Sequence, residues 1–134
     1  MATKAEQKGS KPKFHPLTVL EVRRETSDSV SVSFEVPEGA EFRYLPGQYL
    51  TLKAEINGAE VRRSYSLCSS PLSGTLRVAI KQVEGGVFST WANTQLKAGD
   101  VLDVMPPMGN FLLETDPAQR RRYVGFAAGS GITP

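Results

Sequence analysis

Hydrophobic and polar positions alternate along most of this chain with a period of two. In VSVSFEV, Val30, Val32, Phe34 and Val36 share one parity and Ser31, Ser33 and Glu35 the other, which predicts a half-buried strand. LTVLEVRRET before it predicts another strand, SDS a turn between them, and PEG a break after them. GQYLTLKAEINGAEVRRSYS holds two alternating runs around Asn57-Gly58, a pair that accepts positive φ angles, so a tight hairpin is expected. TLRVAIKQV and VLDVM add two more strands, the second entered through the turn KAGD. Helical spacing occurs in one place, GGVFSTWANTQLKAGD, where Phe88, Trp91, Ala92 and Leu96 fall on one face and Gly99 can end the helix. One helix among about six strands implies an all-β antiparallel barrel or sandwich, because parallel strands need a crossover after nearly every strand.

Composition narrows the class. With 134 residues, 40% of them hydrophobic, the chain can bury a single core. It lacks an apolar run near the roughly 20 residues of a membrane span, and its opening MATKAEQKGSKPK has positive charge without a signal peptide's apolar stretch, so a cytoplasmic protein with no membrane partner is expected. The lone Cys68 excludes an internal disulfide and any four-thiolate cluster, so no metal site is assigned and any metal centre lies elsewhere. Of the formal charge of +2, Lys4, Lys8, Lys11 and Lys13 against Glu6 place +3 in residues 1–13, leaving a near-neutral body. That polar opening segment is expected to be disordered, and without a basic body nucleic-acid binding loses its main support.

Candidate chemistry concentrates in EVRRSYSLCSS. On a strand, residues two apart point the same way about 6.6 Å apart, so Arg63 and Tyr65 share a face and Ser64 lies on the other. A guanidinium can clamp a pair of anionic oxygens and a phenol ring offers a flat surface, which together suit a nucleotide-like cofactor. The same pair also fits an ordinary strand with a surface arginine beside a half-buried tyrosine. EGGVFS then puts Gly85 and Gly86 directly before the helix, where free N–H groups and the positive end of the dipole can receive a phosphate.

These motifs identify a resemblance. RSYS (Arg63 to Ser66), GVFS (Gly86 to Ser89), LPGQY, PPMGNF and GSGITP occur in the order found in the flavin domain of the ferredoxin–NADP reductase superfamily, and the likeness runs from Phe14 to Pro134. Within it, FHPLTVLEVRRET, RRSYSLCSSP and VMPPMGNF look most like reductase components of phenylacetyl-CoA oxygenases. The resemblance implies a six-stranded antiparallel Greek-key barrel capped by one helix, binding FAD. It implies that Arg63 binds the pyrophosphate, that Tyr65 packs on the isoalloxazine, and that Ser66 hydrogen-bonds near the hydride-accepting N5. Ser64 belongs to the same motif. Ala79, Ile80 and Lys81 would line the ribityl and adenosine part, while Gly86, Val87, Phe88 and Ser89 would form the phosphate turn. It also implies NAD(P)H as electron donor and a 2Fe-2S centre in the full-length protein, with an iron–sulfur domain or oxygenase component as partner.

The expected organisation is a disordered tail (1–13), an FAD-binding barrel (14–116), and a linker with the opening strand and turn of a truncated NAD(P)-binding domain (117–134), where Thr133 would sit near flavin and nicotinamide. Tyr123, Val124, Phe126 and Ala127 would form that strand and, uncovered, would fray or pair in a dimer. Cys68 is expected to be a buried filler, Trp91 and Phe88 core residues, Arg120 to Arg122 a solvated loop. The alternative class is a non-catalytic barrel binding nucleic acid or protein, but a single-strand binder should carry several aromatics along a basic groove.

Overall fold

The computed structural model of the chain describes residues 11–39, 41–113 and 116–134. The expected disorder of 1–13 therefore falls mostly outside the described residues; Lys11 to Lys13 are exposed and without regular structure. Six strands form, β1 (His15–Thr26), β2 (Ser29–Phe34), β3 (Tyr49–Ile56), β4 (Ala59–Ser66), β5 (Leu76–Lys81) and β6 (Val101–Met108), with one helix, α1 (Val87–Thr94), between β5 and β6. All pairings are antiparallel, in the order β4-β3-β6-β1-β2-β5. The edge strands meet where Leu67 bridges Val78 and the Cys68 N–H donates to the Arg77 carbonyl at 2.9 Å. Through that bridge β6, β3, β4 and β5 become neighbours in Greek-key order, and α1 rides in the long return to β6.

The curl has a local cause. The first residues of β1 pair with β6 and those from Val19 onward with β2, with a register shift between Val19 and Glu21. Such an irregularity bends a strand and raises its twist, and here it lets β1 belong to both halves of the barrel. The hairpin β3–β4 turns at Asn57 and Gly58 with φ of 52° and 79°, as the dipeptide requires. Inside, Phe34, Leu50, Leu52, Ile80 and Val104 are fully buried, and Phe88 and Ala92 of α1 close the core.

Three expectations are corrected. β2 ends at Phe34, leaving Val36 exposed, and it is not half-buried, because Ser31 and Ser33 are buried as well. Its second face is covered: the Ser31 hydroxyl donates to Glu25 at 2.7 Å and accepts from Arg77 at 2.8 Å. The helix stops at Thr94 rather than reaching Gly99, because Lys97 to Asp100 form a turn whose Gly99 N–H donates to Val19 of β1 at 2.8 Å. Cys68 is exposed, lying just past the closing bridge, with its Sγ donating to the Arg77 carbonyl at 3.4 Å. The thiol is still partly screened, and burial, opposed by Arg77, pushes its pKa up, away from a reactive thiolate. Tyr123 to Ala127 take no strand form; no described strand pairs with them, and Phe126 is 95% exposed. A strand without a partner satisfies neither its backbone nor its apolar side chains. Among the described residues no helix is long and apolar enough to cross a membrane.

Candidate functional site

A cleft of about 290 Å³ opens between β4, the end of β5 and the start of α1, lined by Arg63, Ser64, Tyr65, Lys81, Val83, Gly86, Phe88 and Ser89. Its first wall follows from strand register. Arg63 lies opposite Leu52 and Tyr65 opposite Leu50, so both share the face of the core leucines, whereas the Ser64 hydroxyl bonds Thr51 at 2.9 Å on the other. Tyr65 is half-buried, its ring 5.9 Å from that of Phe88. Burial raises its phenol pKa, with Arg63 opposing, so the ring stays neutral. The Arg63 guanidinium folds back onto the Arg62 carbonyl at 2.6 Å and has no carboxylate partner among the described residues.

The second wall follows from the glycine turn. Gly85 has φ of 73°, and Gly86 is the N-cap of α1 with no side-chain cap. The Val83 N–H donates to Ser89 Oγ at 3.0 Å and the Gly86 N–H to the Val83 carbonyl at 2.9 Å. A Cβ on Gly86 would lie 2.5 Å from Ser89 Oγ and 3.0 Å from the Val83 carbonyl, so the turn closes only around glycine. The amides of Val87, Phe88 and Ser89 are left without an intrahelical acceptor, as first-turn amides are, and lie at the positive end of the helix dipole. A guanidinium without a carboxylate partner among the described residues, an aromatic ring and uncapped amides, all lining one cleft, are a donor set that fits a dinucleotide with two phosphates and a flat ring such as FAD.

Of the residues expected in the site, Arg63, Ser64, Tyr65, Lys81, Gly86, Phe88 and Ser89 meet in this cleft. Ser66 lies one position on, opposite Tyr49 at the end of β4. Val87 starts α1 and is 47% exposed. Ile80 is fully buried and its carbonyl is taken by Asn93, and Ala79 alternates with it on β5, half-buried. Thr133 follows the short 3-10 turn Gly129–Ile132, outside the lining of the cleft. Val83, 61% exposed, also lines the cleft and was not expected there; its place two positions before the glycine pair is the signal the sequence offered.

LPGQY and PPMGNF interlock beside Ser66. Gly47, at φ of 95°, passes so close to Phe111 that a Cβ would overlap its carbonyl, and Gly109 lies under the Tyr49 ring. Gln48 accepts from the Leu45 N–H at 2.9 Å through its side chain, donates to the Gly109 carbonyl at 3.3 Å, and offers its own carbonyl to the Leu67 N–H at 2.9 Å. The end of β4 is thus tied to the interlock through Leu67. A hollow of about 300 Å³ elsewhere, lined by Phe42, Tyr44 and Leu76 among others, has its Tyr44 hydroxyl already engaged with Ser69 and Thr75.

The family model of the oxidoreductase FAD-binding domain matches residues 16–112, which contain both walls of the cleft. The chain belongs to that family. It is 47% identical over 123 residues to a component of the 1,2-phenylacetyl-CoA epoxidase of Escherichia coli strain K12, a match covering 90% of this chain and 35% of that protein. It is 43% identical over 128 residues to the 3-ketosteroid-9-alpha-monooxygenase ferredoxin reductase component of Mycolicibacterium smegmatis, covering 88% and 35%. The solved ferredoxin reductase in carbazole 1,9a-dioxygenase superposes with a TM-score of 0.73 at 31% identity, over 91% of this chain and 37% of that one. The chain thus spans about a third of the length of the curated relatives it matches.

Proposed function

We propose that this chain is the FAD-binding domain of an NAD(P)H-dependent flavin reductase that passes electrons to an iron–sulfur centre serving an oxygenase. The observation that carries the FAD part is the cleft itself: a guanidinium without a carboxylate partner among the described residues and a half-buried ring on β4, lining one cleft with the uncapped start of α1. The direction of electron flow is supported by the relatives, which are named as an epoxidase component and ferredoxin reductase components. FAD, when bound, supplies the two-electron to one-electron chemistry that no amino-acid side chain provides. The chain's own residues do the rest. Arg63 and the amides of Val87, Phe88 and Ser89 hold the diphosphate, Tyr65 presents its neutral ring to the flat portion, and Ser66, fixed by the Gln48 interlock, presents a hydroxyl at the ring's edge. Thr133, the NAD(P)H site, a 2Fe-2S partner and a cytoplasmic location belong to the same proposal.

Titration of the purified chain with FAD and with riboflavin tests it. FAD is expected to bind more tightly, by about 2–4 kcal/mol for the charge-assisted contacts riboflavin cannot make. A folded chain that binds neither, or both equally, overturns the assignment of the cleft.

A further inference from the structure

Helix α1 has only eight residues, Val87–Thr94, too few to hold its shape in water unaided, so its position is set by what packs on it and bonds to it. Phe88 and Ala92 bury one side, but apolar contact leaves rotation and sliding weakly determined. The specific restraint is Asn93, 5% exposed. Its Nδ2 donates to the Ile80 carbonyl of β5 at 3.1 Å and to the Ser89 carbonyl at 2.9 Å. Its Oδ1 accepts from Arg24 of β1 at 2.9 Å, and its backbone carbonyl accepts from the same guanidinium at 2.5 Å. Arginine only donates, so its contact fixes the amide's orientation and obliges Nδ2 to face the two carbonyls. A cation at the last turn also complements the dipole whose other end faces the cleft.

Ser89 links this chain of bonds to the glycine turn. Its carbonyl is held by Asn93, and its hydroxyl accepts from Val83 and shapes the glycine turn. We infer that Arg24 and Asn93 are positioning residues for the diphosphate end of the site, acting through Ser89 and α1 without touching the ligand. This rests on the reading of the cleft as an FAD site.

The test compares FAD and riboflavin affinities in Arg24→Gln, Arg24→Lys and Asn93→Ala. Arg24→Gln keeps the fold and weakens FAD about 3- to 10-fold while leaving riboflavin unchanged, as the loss of a charge-assisted contact acting at one remove implies. Arg24→Lys, which keeps the charge but not the fork, recovers part of the loss. Asn93→Ala loses more, and hydrogen exchange of the Thr90 and Gln95 amides, which bond to the Gly86 and Trp91 carbonyls, quickens in the ligand-free protein in all three variants. Equal losses for FAD and riboflavin, or an unchanged FAD affinity in folded Arg24→Gln, overturn the inference. Should Asn93→Ala fail to fold, the two Arg24 variants decide the matter. A wild-type chain without preference for FAD over riboflavin overturns the cofactor reading first, and the inference with it.

Discussion

The two walls of the cleft are built in opposite ways. On β4, Arg63 is exposed and, among the described residues, hydrogen-bonded only to its neighbour's carbonyl, on a strand paired along one side and meeting β5 by a bridge just past its end. On α1, Ser89 and Asn93 are buried and every polar group of their side chains is engaged. The helix wall is preorganised, so a ligand meets donors already in place. The strand wall supplies full charge at the cost of ordering a long side chain, roughly 0.5–1.5 kcal/mol when it is immobilised. A change in the first wall should therefore be felt by the ligand, and one in the second by the fold as well.

The largest effect expected from a single change separates these roles. Arg63→Ala should weaken FAD binding by about 1.5–3 kcal/mol, a factor of roughly 10 to 150, while thermal unfolding of the unliganded chain stays where it was. A lowered Tm would show that Arg63 supports the fold and would erase the contrast. Gly86→Ala is expected to cost about 1–3 kcal/mol of stability, measured by denaturant unfolding, because its Cβ must displace Ser89 Oγ or the Val83 carbonyl. FAD affinity should fall with it; an unchanged unfolding curve would mean that the turn is more pliable than its contacts indicate. The smallest effect concerns Tyr65. Burial raises its pKa in the folded chain, so its contribution to stability is full below the ordinary phenol range and is lost as pH rises through the folded pKa. Tyr65→Phe should flatten that alkaline decline, and unfolding curves collected on either side of the phenol range would measure it.

Much of this was readable beforehand where cause and effect lie close in sequence. Asn57-Gly58 makes its own turn, and the alternation in Leu76 to Lys81 requires only a strand and a core to sort its faces. What escaped depends on partners distant along the chain. The burial of Ser31 and Ser33 needs a cover that includes Arg77, 46 positions from Ser31, and the role of Asn93 needs Arg24, 69 positions away. Periodicity reports which face a side chain takes and says nothing of what will cover it. Cys68 was misread for a related reason: past the bridge at Leu67 the alternation it seemed to continue has ended. The glycines of LPGQY and PPMGNF were visible as motifs, but their reason, mutual contact, exists only once β3 and β6 lie side by side.

That β1 pairs with β6 also sets the order of events during synthesis. His15 finds its partner at Val104, so the first strand emerges from the ribosome 89 residues ahead of the strand it must join. At about 5–20 residues per second that interval is roughly 4–18 seconds, during which the β6-facing edge of β1 is open to other chains. β2 can pair with β1 at once through the short turn at Ser27-Asp28, so the nascent chain carries a hairpin and not a lone strand. The β1–β6 pairing itself waits for Val101 to Val104, a contact of long sequence separation and so a late one.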